Sequence, residues 1–418
     1  MNKKLSNIFK GDKVIWMVFF FLCMISLVEV FSASSNLTYK TQNYVKPIVF
    51  HASTIVFGFA AAVLTLNVPC KYFKAMTLPL LILSGFTLLW VLVGGESING
   101  ANRVIAIAGL TFQPSEIAKG TIVLYTAQIL SAMQRDDGAD PTAFRYILWI
   151  AVPVIFLIMI ENLSTAVLLS FVVLLMMFIG RVPMAQLGKL MTLVGGGVLA
   201  ILIFIMVAGK DTGNDDRNTK TYTTEEVEKD PGVVDKMFHR ASTWRGRIEK
   251  FMTFKETPVD SVNLDKDMQT VHASIAIVSS GIIGKGPGNS VERDYLPQAF
   301  SDFIYAIIIE EMGIVGAAFV AFLYVILLFR AARIASQCEN NFPALLAMGL
   351  ALLLVVQAVF NMLVAVGLAP VTGQPLPLIS KGGTSTIING AYIGAILSVS
   401  RWAKKKKERA TKVATASA

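Results

Sequence analysis

Asp302 opens a long apolar run, Ser301-Asp302-Phe303-Ile304 and onward, and Glu310 and Glu311 follow about two helical turns later. A carboxylate held there can take the proton of an attacking hydroxyl. A helix cap is the plain alternative, because exposed N–H groups favour an acid at an N-terminus, though Ser301 could cap unaided. Glu116 and Lys119, at i and i+3 of another apolar run, share one helix face. The ammonium suits a phosphate, and a structural ion pair tying two helices stands beside that reading. Ionisable groups at membrane depth cost on the order of several kcal/mol unless paired or hydrated, so both sets need an account. Gly284, Gly286 and Gly288 precede Asp302 and can form an anion-receptive turn. Between Pro370 and Ser385, three prolines and three glycines stiffen a loop that is either a rigid turn or a binding wall, and Lys381 adds positive charge to it.

The elements that must position these residues are membrane helices. With 54% apolar residues, 16% charged residues and a mean hydropathy of +0.62, the chain is not a soluble globular protein. Its apolar windows suffice to cross a hydrocarbon layer about 30 Å thick, and a bilayer requires their backbones to be helical. The expected fold is all-α, a polytopic membrane protein with ten transmembrane helices at 13–33, 47–67, 75–94, 114–133, 146–161, 163–180, 190–209, 302–330, 343–368 and 383–402. Lys3, Lys4, Lys10, Lys13, Lys71, Lys74, Arg135, Arg145, Arg181, Lys189, Arg330 and Arg333 then share one side with the tail, which places both termini in the cytoplasm.

On this reading residues 1–418 form one membrane unit. Residues 210–301 form a large extracytoplasmic loop between the seventh and eighth spans, and residues 403–418 a basic cytoplasmic tail. Within the loop, Phe238 to Phe254 is basic and aromatic, as an interfacial helix would be, and Val271 to Ile283 is a re-entrant or surface-packed segment. The net charge of +9 is spread along loop ends and the tail, which fits an anionic leaflet and argues against nucleic acid as a partner. Three cysteines make no disulfide framework, and no CxxC or HExxH spacing points to a structural metal.

The order of several motifs resembles the SEDS family of shape, elongation, division and sporulation proteins, its FtsW branch more than its RodA branch. The motifs are Asn99-Gly100-Ala101-Asn102-Arg103, Phe112-Gln113-Pro114-Ser115-Glu116-Ile117-Ala118-Lys119, Gly286 to Ser290, Tyr295 to Pro297 and Ser301-Asp302-Phe303-Ile304 through Gly313. Gln357, Phe360, Asn361 and Pro370-Val371-Thr372-Gly373-Gln374-Pro375-Leu376-Pro377 complete the set. Val104, Asn162, Ala273, Gln298 and Lys381 depart from the family pattern.

The resemblance implies a peptidoglycan glycosyltransferase of the bacterial inner membrane that polymerises lipid II during septal wall synthesis. It places the catalytic aspartate at Asp302. Pyrophosphate or substrate contacts are expected from Arg103, Lys119, Glu116, Ser290 and Lys381, with Glu310, Glu311, Gln357, Asn361 and Thr372 in support. A class B penicillin-binding transpeptidase and division regulatory membrane proteins are the implied partners, and a divalent cation, Mg or Mn, the only cofactor. A lipid II flippase and a non-enzymatic scaffold that activates a transpeptidase are the rival classes.

Overall fold

A computed structural model describes residues 9–33, 45–94, 96–98, 101–107, 110–208, 246–247, 251–252, 268–296 and 299–416. The chain enters through α1 (Lys13–Ala33), α2 (Val45–Asn67) and α3 (Cys70–Gly94). A small antiparallel sheet follows, with β1 (Glu96–Ile98), β2 (Ala101–Ile107) and β3 (Leu110–Phe112) in sequential order. Next comes α4 (Pro114–Ala132), begun by a proline whose missing N–H is no loss in a first turn. A two-residue hairpin, β4 (Gln134–Arg135) with β5 (Gly138–Ala139), leads to α5 (Pro141–Glu161). Asn162 ends α5 and caps α6 (Leu163–Ile179) by accepting from Thr165 N at 3.3 Å. The rest of the described chain is α7 (Met184–Ala208), α8 (Met268–Ser280), α9 (Ile304–Ser336), α10 (Asn341–Ala365) and α11 (Thr384–Ala416).

The expectation of ten spans is overturned. Among the described residues, six helices are long and apolar enough to cross a membrane: Lys13–Ala33, Ile48–Asn67, Cys70–Leu92, Pro141–Glu161, Ile304–Ser336 and Asn341–Ala365. The chain is therefore an all-α, largely helical membrane protein with six such helices among its described residues. Continuous apolar windows in the sequence do not distinguish lipid-crossing helices from helices buried in a bundle. α4 carries Glu116, Lys119, Thr121, Thr126 and other polar groups, most of them buried. α6, at 17 residues, falls short of a full crossing. α11 opens on Thr384, Ser385 and Thr386 and runs into a basic tail, and much of α7 lies outside the described side chains. The three short strands at 96–112 were not expected. Of the loop at 210–301, residues 210–245 lie outside the described residues.

α10 is the hub. It packs against α9, α4, α11 and α6, and Phe342, Leu346, Leu350, Leu353, Leu354 and Ala358 are all buried along it. α2 and α11 pack along their lengths with the backbones almost touching. A Cβ built on Gly390 would lie 2.2 Å from Gly58 O, and one on Gly394 would lie 2.4 Å from Ala62 O. The lipid-facing sides carry residues such as Leu78, Ile82, Phe322 and Phe329, exposed in the isolated chain as bilayer contacts must be.

Candidate active site

α9 is two helical segments joined across a kink at Gly313, whose φ of 70° and ψ of −175° lie outside the helical region. The short first half, Ile304 to Met312, carries Asp302 just before its start and Glu310 and Glu311 at its end. Phe303 is its N-cap and makes no side-chain capping bond. The Asp302 carboxylate instead accepts from Ser301 Oγ at 2.9 Å.

The main chain around Asp302 is fixed from two directions. Asn361 on α10 donates to Asp302 O at 2.8 Å and to Gln374 O at 2.7 Å. From the loop between α10 and α11, Ser380 Oγ donates to Ser301 O at 2.6 Å, and Lys381 N to Phe300 O at 3.0 Å. That loop is anchored in turn by Gln374 on Thr165 Oγ1 at 2.7 Å, by Ser26 on Ile379 O at 2.6 Å and by Tyr324 on Pro377 O. Leu378 within it adopts a φ of 68°, unusual for a bulky residue. The Lys381 ammonium lies 4.9 Å from the centre of the Phe300 ring, and burial lowers its pKa.

One turn along α10 from Asn361, Gln357 Oε1 accepts from Lys119 Nζ at 2.8 Å, while Glu116 Oε1 accepts from the same ammonium at 2.8 Å. Lys119 and Glu116 are 1% and 2% exposed, so this pair is held almost wholly out of water. The Gln357 side-chain Nε2 donates to Pro375 O at 3.0 Å, which ties the pair to the same loop. Tyr392 on α11 donates to Glu116 O and accepts from Gly120 N at 3.1 Å. Glu116 Oε2, Asn361 Oδ1 and Thr372 Oγ1 are buried without a hydrogen-bond partner among the described residues.

The residues singled out in the sequence thus fall into two groups. Asp302, Lys381, Asn361, Gln357, Lys119, Glu116 and Thr372 gather around α10 and its following loop. Ser290, Glu310 and Glu311 gather at the other end of the first half of α9, where Ser290 Oγ donates to Glu310. Arg103 is the extra residue of a β-bulge in β2, between partners Glu96↔Val104 and Ser97↔Asn102, and its side chain lies outside those described.

Sequence reasoning missed Arg247. Its guanidinium lies within electrostatic reach of Asp302; burial lowers its pKa and the Asp302 carboxylate opposes that shift. The basic, aromatic character of Phe238 to Phe254 was the available signal. Ser380, Gln374 and Tyr392 were missed as well, because their partners are far away in the chain. Among the described residues, no group of three or more His, Cys, Asp or Glu side chains converges as metal ligands.

The chain is similar to known proteins over nearly its whole length. A probable peptidoglycan glycosyltransferase FtsW from Geobacter sp. (strain M18) is 29% identical over 397 residues, 93% of this chain and 96% of the relative. The protein of the same name from Halomonas elongata is 30% identical over 406 residues, covering 93% and 91%. Among solved structures, a chain from work on the structural coordination of polymerization and crosslinking by a peptidoglycan synthase complex superposes with a TM-score of 0.69 at 24% identity, covering 94% and 98%. The rod shape determining protein RodA of Thermus thermophilus gives 0.63 at 23% identity, with the same coverage. These likenesses are consistent with glycan-polymerising activity in cell-wall synthesis. The family profile for FtsW, RodA and SpoVE, described as cell cycle proteins, matches residues 12–405, and the chain belongs to that family, the SEDS proteins.

Proposed function

We propose that this chain polymerises lipid II, the undecaprenyl-pyrophosphate-linked disaccharide-pentapeptide, into the glycan strands of septal peptidoglycan. The observation that carries the reading is the fixing of the main chain at Asp302 by Asn361 and at Ser301 by Ser380, on the same helix-and-loop frame that holds the buried Lys119–Glu116 pair. The reaction forms a bond from an acceptor sugar 4-hydroxyl to the donor anomeric carbon and breaks the bond from that carbon to the lipid pyrophosphate. Asp302 takes the hydroxyl proton as attack proceeds. Donor and product have opposite anomeric configuration, so displacement is direct, with no glycosyl-enzyme intermediate.

The departing pyrophosphate needs positive charge that strengthens its hold as the bond breaks. Lys119, Arg103 and Lys381 supply it in this proposal, and Arg247 beside Asp302 adds to the field. A divalent cation would add positive charge at the departing pyrophosphate, and Asp302 and Glu116 are the carboxylates of this site that could hold it. The setting is the bacterial inner membrane with Asp302 on the outer side and both termini in the cytoplasm, supported by the distribution of Lys and Arg along the loops. A class B penicillin-binding transpeptidase and division regulatory membrane proteins complete the assembly. The solved relative from a peptidoglycan synthase complex lends support to such a partnership.

The test is lipid II polymerisation by the purified chain with its transpeptidase in proteoliposomes. Asp302→Asn should lower turnover by about 10²–10⁴-fold while the protein stays folded and bound to its partner, the range expected for loss of a positioned base. Near-normal glycan synthesis by that variant would remove Asp302 from the role of base. Transfer of intact lipid II between leaflets without glycan formation would replace synthesis by transport.

A further inference from the structure

The glycine-rich turn before Asp302 already holds an anion, and the anion belongs to the chain. Glu310 accepts from Lys285 Nζ at 2.6 Å, from Val291 N at 3.0 Å, from Glu292 N at 3.3 Å and from Ser290 Oγ. Glu311 accepts from Gly288 N at 2.9 Å, from Ser290 N at 3.3 Å and from Ser32 Oγ on α1. Both glutamates are 0% exposed. Arg293 donates to Ser32 Oγ at 2.7 Å and to Gly288 O at 2.8 Å, and its guanidinium lies 3.9 Å from Glu311.

The main chain repeats the arrangement. Where α9 breaks, its terminal carbonyls have no partner within the helix. Lys285 N donates to Glu310 O at 2.9 Å and Gly286 N to Glu311 O at 2.8 Å, and Val315 N returns to Ile282 O at 3.4 Å. This needs near contact of two backbones, since a Cβ on Gly284 would lie 2.4 Å from Glu311 O and one on Gly313 2.2 Å from Ile282 O.

We infer that Glu310 and Glu311 are positioning residues for the reaction: by binding the 285–292 turn, they clamp the far end of the half-helix whose near end presents Asp302. The inference rests on the proposed role of Asp302. The half-helix from Ile304 to Met312 is about 13 Å long at 1.5 Å per residue. Asn361, Ser380 and Lys381 fix one end and the glutamates fix the other, with Ser32 and Arg293 tying that end to α1. Freeing one end of so short a rod swings the other. The turn is itself tightened by Tyr295 N and Leu296 N, which both donate to Glu292 O.

The test is Glu311→Gln, which keeps the volume and removes the charge and one acceptor oxygen. With lipid II and the full complex, kcat should fall by up to about 10²-fold, the scale of a 1 Å misplacement, while KM for lipid II stays within a few-fold. Spin labels at Asn289→Cys and Leu368→Cys, in a Cys338→Ser background, should give one narrow distance in the parent and a broadened or shifted one in Glu311→Gln. Unchanged kcat overturns the proposal. So does a rise in KM with kcat preserved, which would make the turn a substrate contact, and so does a loss of kcat with an unaltered distance distribution. The distance needs no turnover, so an active Asp302→Asn would sink the base assignment while leaving the clamp separately measured.

Discussion

At the residue scale, Lys119 carries the sharpest test of whether buried charge here serves structure or chemistry. Its ammonium is shared between Glu116 and Gln357 with almost no water contact. Lys119→Met leaves the Glu116 carboxylate buried without its counter-charge, and breaking such a pair typically destabilises by about 3–5 kcal/mol. Adding Glu116→Gln removes the stranded charge and should restore most of the thermal stability of the purified protein. Glycan synthesis should stay lost in the double variant if, as proposed, the cation serves the departing pyrophosphate. Recovery of both stability and turnover would leave the pair with a structural role alone. The i, i+3 spacing of Glu116 and Lys119 was legible in the sequence. Their third partner was not, since Gln357 lies 238 residues away from Lys119 and nothing local marks it.

At the element scale, the break in α9 decides where the site residues go, and one glycine makes it. In the sequence Gly313 falls inside the continuous span expected at 302–330. In the fold it is the point where the Ile282–Gly286 backbone inserts. The glycines at 284, 286 and 288 were legible as an anion-receptive turn, all three having positive φ. That Glu310 and Glu311 reach it was not legible, because the match depends on the helix stopping after Met312. Gly313→Ala should therefore destabilise by well over the ~1–2 kcal/mol that left-handed backbone alone costs an L-residue, since its Cβ also meets Ile282 O. Gly196→Ala in α7, where a Cβ meets nothing within 4 Å among the described residues, should instead leave stability unchanged or raise it by up to about 1 kcal/mol. Melting of the two purified variants checks both. Similar effects from the two would show that the break at Gly313 is incidental.

At the scale of the whole molecule, the sequence reveals a helical membrane protein and most helix positions, yet overcounts the crossings. Polarity distributed around α4 and the polar start of α11 belongs to helices that line the interior with α10. Such faces become visible only when long-range partners such as Tyr392 and Glu116, or Gln374 and Thr165, are brought together. The contact between α2 and α11 gives the test at this scale. Gly390→Ala must push the two helices apart, and overpacking of this kind typically costs about 1–3 kcal/mol. Turnover should fall by more than the loss of folded protein explains, as measured by activity per folded molecule. Turnover in simple proportion to folded protein would uncouple α11 from the site.

The reason lies in where that seam leads. Two residues beyond Gly390, Tyr392 grips the peptide that carries Glu116, and Gly120 on the same turn leaves room only for that ring. A spacing set between bare backbones on one flank of the protein is therefore a gauge for the cation on the other. On the proposed function, amino-acid changes that cripple wall synthesis can then arise well away from Asp302 and Lys119, by adding a single methyl group between two helices.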